Sequence, residues 1–278
     1  MESYFIKNFD GAEICIVDNH KTDAKQALLF VHGSNLNSDI FEHQFGSELL
    51  NKYRLVAINM PGNGKSQPAN NPKEVYQFKG LVDTLEFCVK ALALPQAIYV
   101  VGHSMGAHLV TNNINSPQLY KGAFFVGYPP LHEVKNFYDA THRIPSFQML
   151  FSEKMNKSAS SQVADDLMSG KASNVKIQAI LDSVEPLFRR YYGSSIANGV
   201  LCDEYDTING FECPIVLTHA EQDRFLKYEY IKQAQVSNLW RSKVHLFSNA
   251  SHIPFIDAAD QVNELIDAYV LDVSGNGA

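Results

Sequence analysis

Continuous apolar runs alternate with helical patterns through most of this chain. ALLFV (27–31), LVAI (55–58), IYVV (98–101), AFFV (123–126) and IVL (215–217) are each short, and most are bounded by glycine or proline. A strand apolar at every position is buried on both faces, so the alternation predicts a mostly parallel sheet with helices on both sides. SYFIKNF and AEICIVD, joined at Asp10-Gly11, predict an antiparallel hairpin at one edge. KVHLF (243–247) supplies the last of eight strands.

Helices are predicted at 41–52, with Phe41, Phe45 and Leu49 on one face, and at 75–94, stopped by Pro95. Further helices are predicted at 105–114, 227–236 and 255–272. From Leu131 to Asp206 the pattern is helical without a convincing strand. This stretch reads as an inserted cap, dividing a core of 1–130 and 207–278 from a cap of 131–206. The tail after 272 reads as frayed.

The 278 residues suffice for one large α/β domain with an insertion. The net charge is -7 with no run of like charge, which argues against nucleic acid or an anionic membrane as partner. No stretch is long enough to span a bilayer, and the acidic, broken N-terminus is unlike a signal peptide. Cys15, Cys88, Cys202 and Cys213 lack C-x-x-C spacing and read as buried reduced thiols. Together these predict a cytoplasmic protein. Its oligomeric state is left open.

Ligands of an open parallel sheet sit at the carboxyl ends of its strands. Five loops there carry reactive residues: HGSNLN, NMPGNGKS, GHSMG, HAEQDRF and NASHIPF. Gly102-His103-Ser104-Met105-Gly106 matches G-x-S-x-G between a strand and a helix, the setting of a nucleophile elbow. The glycines are needed because a side chain at either position would meet neighbouring backbone. A serine hydroxyl requires a base, and the chain order of this motif is Ser, acid, His. Of the late histidines, His219 precedes the acid candidate and His245 lies inside a strand, which leaves His252 as the base. Asp223 follows its strand and is the expected acid. Glu221 lies nearer the strand, Asp203, Asp206 and Glu212 lie at the wrong end, and Glu133 and Asp139 are remote fallbacks.

The oxyanion of a tetrahedral intermediate needs donors, expected at the Met105 and Ser34 N–H groups. Asn35 is a candidate substrate contact or loop cap. His32 reads as structural, His103 as packing, and His108 as core or capping. No H-x-H-x-D or H-E-x-x-H spacing appears, so no metal and no cofactor are expected.

FVHGS, NMPGNGKS, VGHSMGAH, HAEQDRF and NASHIPF together resemble the α/β-hydrolase superfamily over nearly the whole chain outside the cap. Asn59 stands where that family's D-x-P-G-x-G loop has aspartate. The resemblance implies the α/β-hydrolase fold. A serine at position 104 disfavours the dehalogenase and epoxide hydrolase branches, which carry aspartate there. FVGYPPLHEVKNF and VSNLWRSKVHLFSNASHIPF are also similar to metal-independent N-acylhomoserine lactonases. That similarity implies Ser34 and Met105 as oxyanion donors, with Asp223 at a position where those lactonases can carry Glu.

The expected activity is hydrolysis of a small ester or lactone with an apolar acyl group, through Ser104, His252 and Asp223. Phe137, Tyr138, Phe147, Phe151 and Tyr192 are the main candidate lining residues, with Met149, Leu150 and Tyr191 beside them; about half are expected to be ordinary cap core. Rival readings are an esterase, thioesterase, amidase or C–C bond hydrolase on the same three residues, or a non-catalytic ligand receptor.

Overall fold

The structure is a computed structural model, and it describes residues 2–113, 119–133, 136–197 and 202–275. Eight strands form one sheet: β1 (Glu2–Lys7), β2 (Glu13–Asp18), β3 (Gln26–Val31), β4 (Arg54–Ile58), β5 (Ala97–His103), β6 (Tyr120–Val126), β7 (Ile215–Ala220) and β8 (His245–Phe247). Their order is β1-β2-β4-β3-β5-β6-β7-β8. β1 and β2 pair antiparallel with each other, β2 pairs antiparallel with β4, and every other pairing is parallel. The opening hairpin turns where expected, with Gly11 at φ +85 and its N–H bonded to the Asn8 carbonyl at 2.9 Å.

Successive residues of the central strands enter opposite cores, because strand side chains alternate faces. Leu28, Phe30, Leu55, Ala57, Tyr99 and Val101 pack on one face with the C-terminal helix Ala259–Val273. Leu29, Val31, Val56, Ile58, Ile98 and Val100 pack on the other with helices Phe78–Leu92 and Met105–Asn113.

The helices are shorter and more broken than expected. The segment 41–52 is a 3-10 turn (Ser38–Phe41), a single turn (Glu42–Phe45) and a second 3-10 turn (Leu50–Lys52). Asn37 starts it early by accepting the Asp39 N–H, and Gly46 ends the helical turn. Leu50 is then buried, and Leu49 is exposed. The segment 75–94 divides into Pro72–Val75 and Phe78–Leu92. The two pieces touch at Gly80, where an added Cβ would lie 2.2 Å from the Glu74 carbonyl oxygen. Only Tyr228–Lys232 of the segment 227–236 is helical, and the last helix breaks at Ala258. Residues 114 and 276–278 lie outside the described residues.

Between β6 and β7 run helices Asn136–Ala140, Pro145–Met149, Lys157–Leu167, Asn174–Ser183, Pro186–Ala197 and Glu204–Asn209. Among the described residues this segment contains no strand, only an isolated bridge from Thr141 to Leu226. The expected boundary at 206 falls inside its last helix. Among the described residues no helix is long and apolar enough to cross a membrane. Cys15 and Cys88 are buried as expected, but Cys202 is exposed and Cys213 half-buried, because both lie in connecting segments outside the sheet and its helices.

Candidate active site

β5 delivers Ser104 between its parallel neighbours β3 and β6. The serine has φ +48, in the left-handed region that a non-glycine residue rarely adopts. Its N–H bonds to the Val126 carbonyl at 2.9 Å, and its carbonyl accepts the Ala107 N–H at 2.9 Å. The flanking glycines have the steric reason expected of them. A Cβ at Gly102 would lie 2.7 Å from Ala107 Cα, and one at Gly106 would lie 2.2 Å from the Val31 carbonyl oxygen.

The turn after β3 lies beside the elbow. His32 is fully buried; its Nδ1–H donates to the Gly33 carbonyl at 2.8 Å and its Nε2 accepts the Met60 N–H at 2.9 Å. Burial lowers its pKa to about 4, so the ring stays neutral in that role. Ser34 and Met105 both line the cavity at Ser104, and neither backbone N–H has an acceptor among the described residues.

Asp223 follows β7 and is held by its own turn. One carboxylate oxygen accepts the Phe225 and Leu226 N–H groups at 2.7 and 3.0 Å. The other accepts a bond from His252 Nδ1 at 2.7 Å. Burial works to raise this carboxyl, but the charge and hydrogen bond of His252, with His219 and the Leu226 N–H, outweigh it and hold the group below the usual range.

His252, in the loop after β8, is fixed from behind as well. His103 Nε2–H donates to the His252 carbonyl at 2.9 Å. His103 is fully buried, and burial first, then the nearby His252, lowers its pKa to about 3.

Ser104 and His252 face one cavity of about 50 Å³, lined also by Phe137, Phe147, Leu150, Phe151 and Tyr192. Two expected contacts are elsewhere. Tyr138 is 61% exposed on the far side of its short helix and borders a separate surface cleft. Asn35 is fully buried at φ +59, and its amide group donates to the Leu150 carbonyl and to Ser34 Oγ, both at 2.9 Å. It ties the turn to the helical segment and does not line the cavity at Ser104. Met149 and Tyr191 do not line the cavity either.

The rejected candidates have other partners. His219 stacks on Tyr228 and His245 on Trp240. Glu221 accepts the Asn249 N–H, and Asp203 caps helix Glu204–Asn209. Sequence reasoning missed the link from His103 to His252, and it missed the hydrogen bond between His108 Nδ1 and Glu204 at 2.8 Å. Neither pairing has a local spacing that could announce it. Among the described residues no cluster of three His, Cys, Asp or Glu side chains could hold a metal.

Comparison with known proteins agrees with this architecture. A family described as alpha/beta hydrolase fold matches residues 26–113. The AB hydrolase superfamily protein YisY of Bacillus subtilis is 24% identical over 264 residues, covering 86% of this chain and 89% of the relative. Among solved structures, a mutant N-acyl homoserine lactonase, AidH, complexed with N-hexanoyl homoserine lactone, superposes with a TM-score of 0.91 at 21% identity over 99% of both chains. An esterase from Exiguobacterium antarcticum gives 0.78 at 16% identity, over 97% of this chain and 99% of the other. With its sheet order, its strand–elbow–helix unit and these likenesses, the chain is a protein of the α/β-hydrolase fold.

Proposed function

We propose that the chain is a serine hydrolase that opens a carboxylic ester or lactone through an acyl-enzyme on Ser104. The observation that carries this reading is the 2.7 Å bond from His252 Nδ1 to Asp223, with His252 and the strained Ser104 on one cavity. Asp223 holds the proton on Nδ1, which leaves Nε2 as the base. Ser104 Oγ attacks the carbonyl and gives its proton to His252 Nε2. The Ser34 and Met105 N–H groups receive the oxyanion, each worth roughly 100-fold or more in rate. His252 then protonates the leaving alkoxide. In a lactone that alkoxide stays attached to the acyl group. Water, deprotonated by His252, releases the acid and restores Ser104.

The segment 131–206 is the cap in this reading. It supplies Phe137, Phe147, Phe151 and Tyr192 to an apolar wall. A cavity of about 50 Å³ holds roughly three to five water-sized groups, which favours a short acyl chain. The lactonase likeness supports a small acyl substrate, and an acylated homoserine lactone is one that the chemistry would accept.

A panel of short- and long-chain acyl esters and acyl homoserine lactones, read by product mass, tests the proposal. Lactones should give one product heavier by one water, and esters two products. Ser104→Ala should lose activity by about 10,000-fold or more. If wild type turned over no member of the panel, or Ser104→Ala matched wild type, the reading would fail.

A further inference from the structure

Phe137 and Phe147 bound two hollows at once. One is the cavity at Ser104, and the other is a surface cleft of about 400 Å³. Both residues are half-buried, and their ring centroids lie 5.3 Å apart. The cleft is lined further by Tyr138, Thr141, His142, Arg143, Ile144 and Gln148. Its position is tied to the loop that carries Asp223. The His142 N–H bonds to the Phe225 carbonyl at 2.8 Å, and the Lys227 N–H bonds to the Ala140 carbonyl at 2.9 Å.

The charge of the cleft sets it apart. The chain carries a net charge of -7, yet no Asp or Glu is among the residues lining the cleft, and Arg143 is. Of the six arginines, Arg54, Arg190, Arg224 and Arg241 bond to carboxylates. Arg189 bonds to the Ser152 and Leu181 carbonyls. Arg143 alone donates to no oxygen among the described residues. Its guanidinium lies over the Tyr138 ring instead, 5.9 Å from the centroid. Such a contact steadies the cation while leaving its N–H fork unspent. A guanidinium stays charged at any ordinary pH, and its planar fork fits a carboxylate through two parallel bonds.

We propose that this cleft is a distal subsite of the active site, where Arg143 receives a carboxylate at the end of the substrate remote from the scissile bond. The cavity of about 50 Å³ encloses only a small group around the reacting carbonyl. Phe137 and Phe147 are the partition on the cleft side, and a rotamer change of Phe147 joins the two hollows. The proposal rests on the Ser104 hydrolase reading and names a substrate class for that site: esters with a carboxylate several bonds from the reacting carbonyl, over neutral esters of the same length. The carboxylate belongs to the acyl part or to the alcohol part, and the chemistry at Arg143 is the same for both.

Two series of esters test it, with kcat/KM measured for each member. In the first, the p-nitrophenyl hemiesters of succinic, adipic and suberic acid are compared with their p-nitrophenyl methyl diesters, which match them in length without the charge. In the second, the acetate esters of ω-hydroxy acids of the same lengths are compared with those of the hydroxy acids' methyl esters. Arg143→Gln should lower the ratio of anionic to neutral rates by about threefold in one or both series, at the longer lengths and not at the shortest. Arg143→Lys, which keeps the charge but not the fork, should restore part of it. A fall in the first series assigns the carboxylate to the acyl end, and a fall in the second assigns it to the alcohol end. An equal fall at every length in both series would mean long-range attraction without a contact, and would overturn the proposal. A purely structural role would change anionic and neutral rates together and leave the ratio intact, which would overturn it too, as would turnover of p-nitrophenyl acetate with none of the longer esters. No turnover of any ester, p-nitrophenyl acetate included, would instead overturn the Ser104 reading, and this proposal with it.

Discussion

Acidifying the protein from about pH 7.5 to about pH 5 should remove about 4 kcal/mol of stability through two buried histidines. His32 and His103 are fully buried, and burial lowers their pKa values from 6.5 to about 4 and about 3. In the unfolded chain both bind a proton near pH 6.5; in the folded protein they do so only far below it. The unfolded state therefore binds more protons between these values, and stability falls as pH falls through about 6.5. Each histidine contributes about 1.4 kcal/mol per pH unit once below its unfolded pKa, so each loses about 2 kcal/mol by pH 5. His219 and His245, lowered first by burial, add in the same direction. Urea denaturation midpoints across this range read the loss directly. His103→Gln should be less stable at pH 7.5 but should show about 2 kcal/mol less pH dependence. A stability constant down to pH 5, or an equal slope in His103→Gln, would refute the assignment of neutral, buried rings.

Three other outcomes follow from the site. Gly106→Ala should cost at least about 2 kcal/mol in a denaturation experiment, because its Cβ would meet the Val31 carbonyl at 2.2 Å and the backbone cannot rotate away. Asp223→Asn should lower kcat by roughly 1,000- to 10,000-fold with little change in fold, since the amide still accepts from Phe225 and Leu226 but disfavours the proton on His252 Nδ1. Phe147→Ala should shift the preference among p-nitrophenyl esters toward longer acyl chains, because Phe147 fills the cavity between Phe137 and Phe151.

The sheet was legible because its signals are local. Apolar runs end at glycine or proline, and residues that follow strand ends land on one edge of a parallel sheet whatever the helices do. That is why Ser104, Asp223 and His252 could be placed on loops at one edge of the sheet from the motif and its chain order. Helix ends depend on close approaches that spacing does not carry, such as Gly80 against Glu74 or the break at Gly46. Aromatic type alone does not say which side of a five-residue helix faces inward, so Phe137 and the exposed Tyr138 read alike. Asn35 looked like a site residue because it follows Ser34 in the turn after β3; its amide nitrogen bonds Ser34 Oγ and the Leu150 carbonyl. The pairing of His108 with Glu204 spans 96 residues, and only the folded chain brings the two together.

The proposed reaction stands on Ser104 acting as a nucleophile activated by His252. Intact-protein mass spectrometry after incubation with a fluorophosphonate, followed by peptide mapping, tests it most directly. One added phosphonyl group per chain is expected, on the peptide carrying Ser104, with none in Ser104→Ala and strongly slowed labelling in His252→Ala. Labelling of another residue, no labelling of wild type, or unchanged labelling in His252→Ala would contradict it.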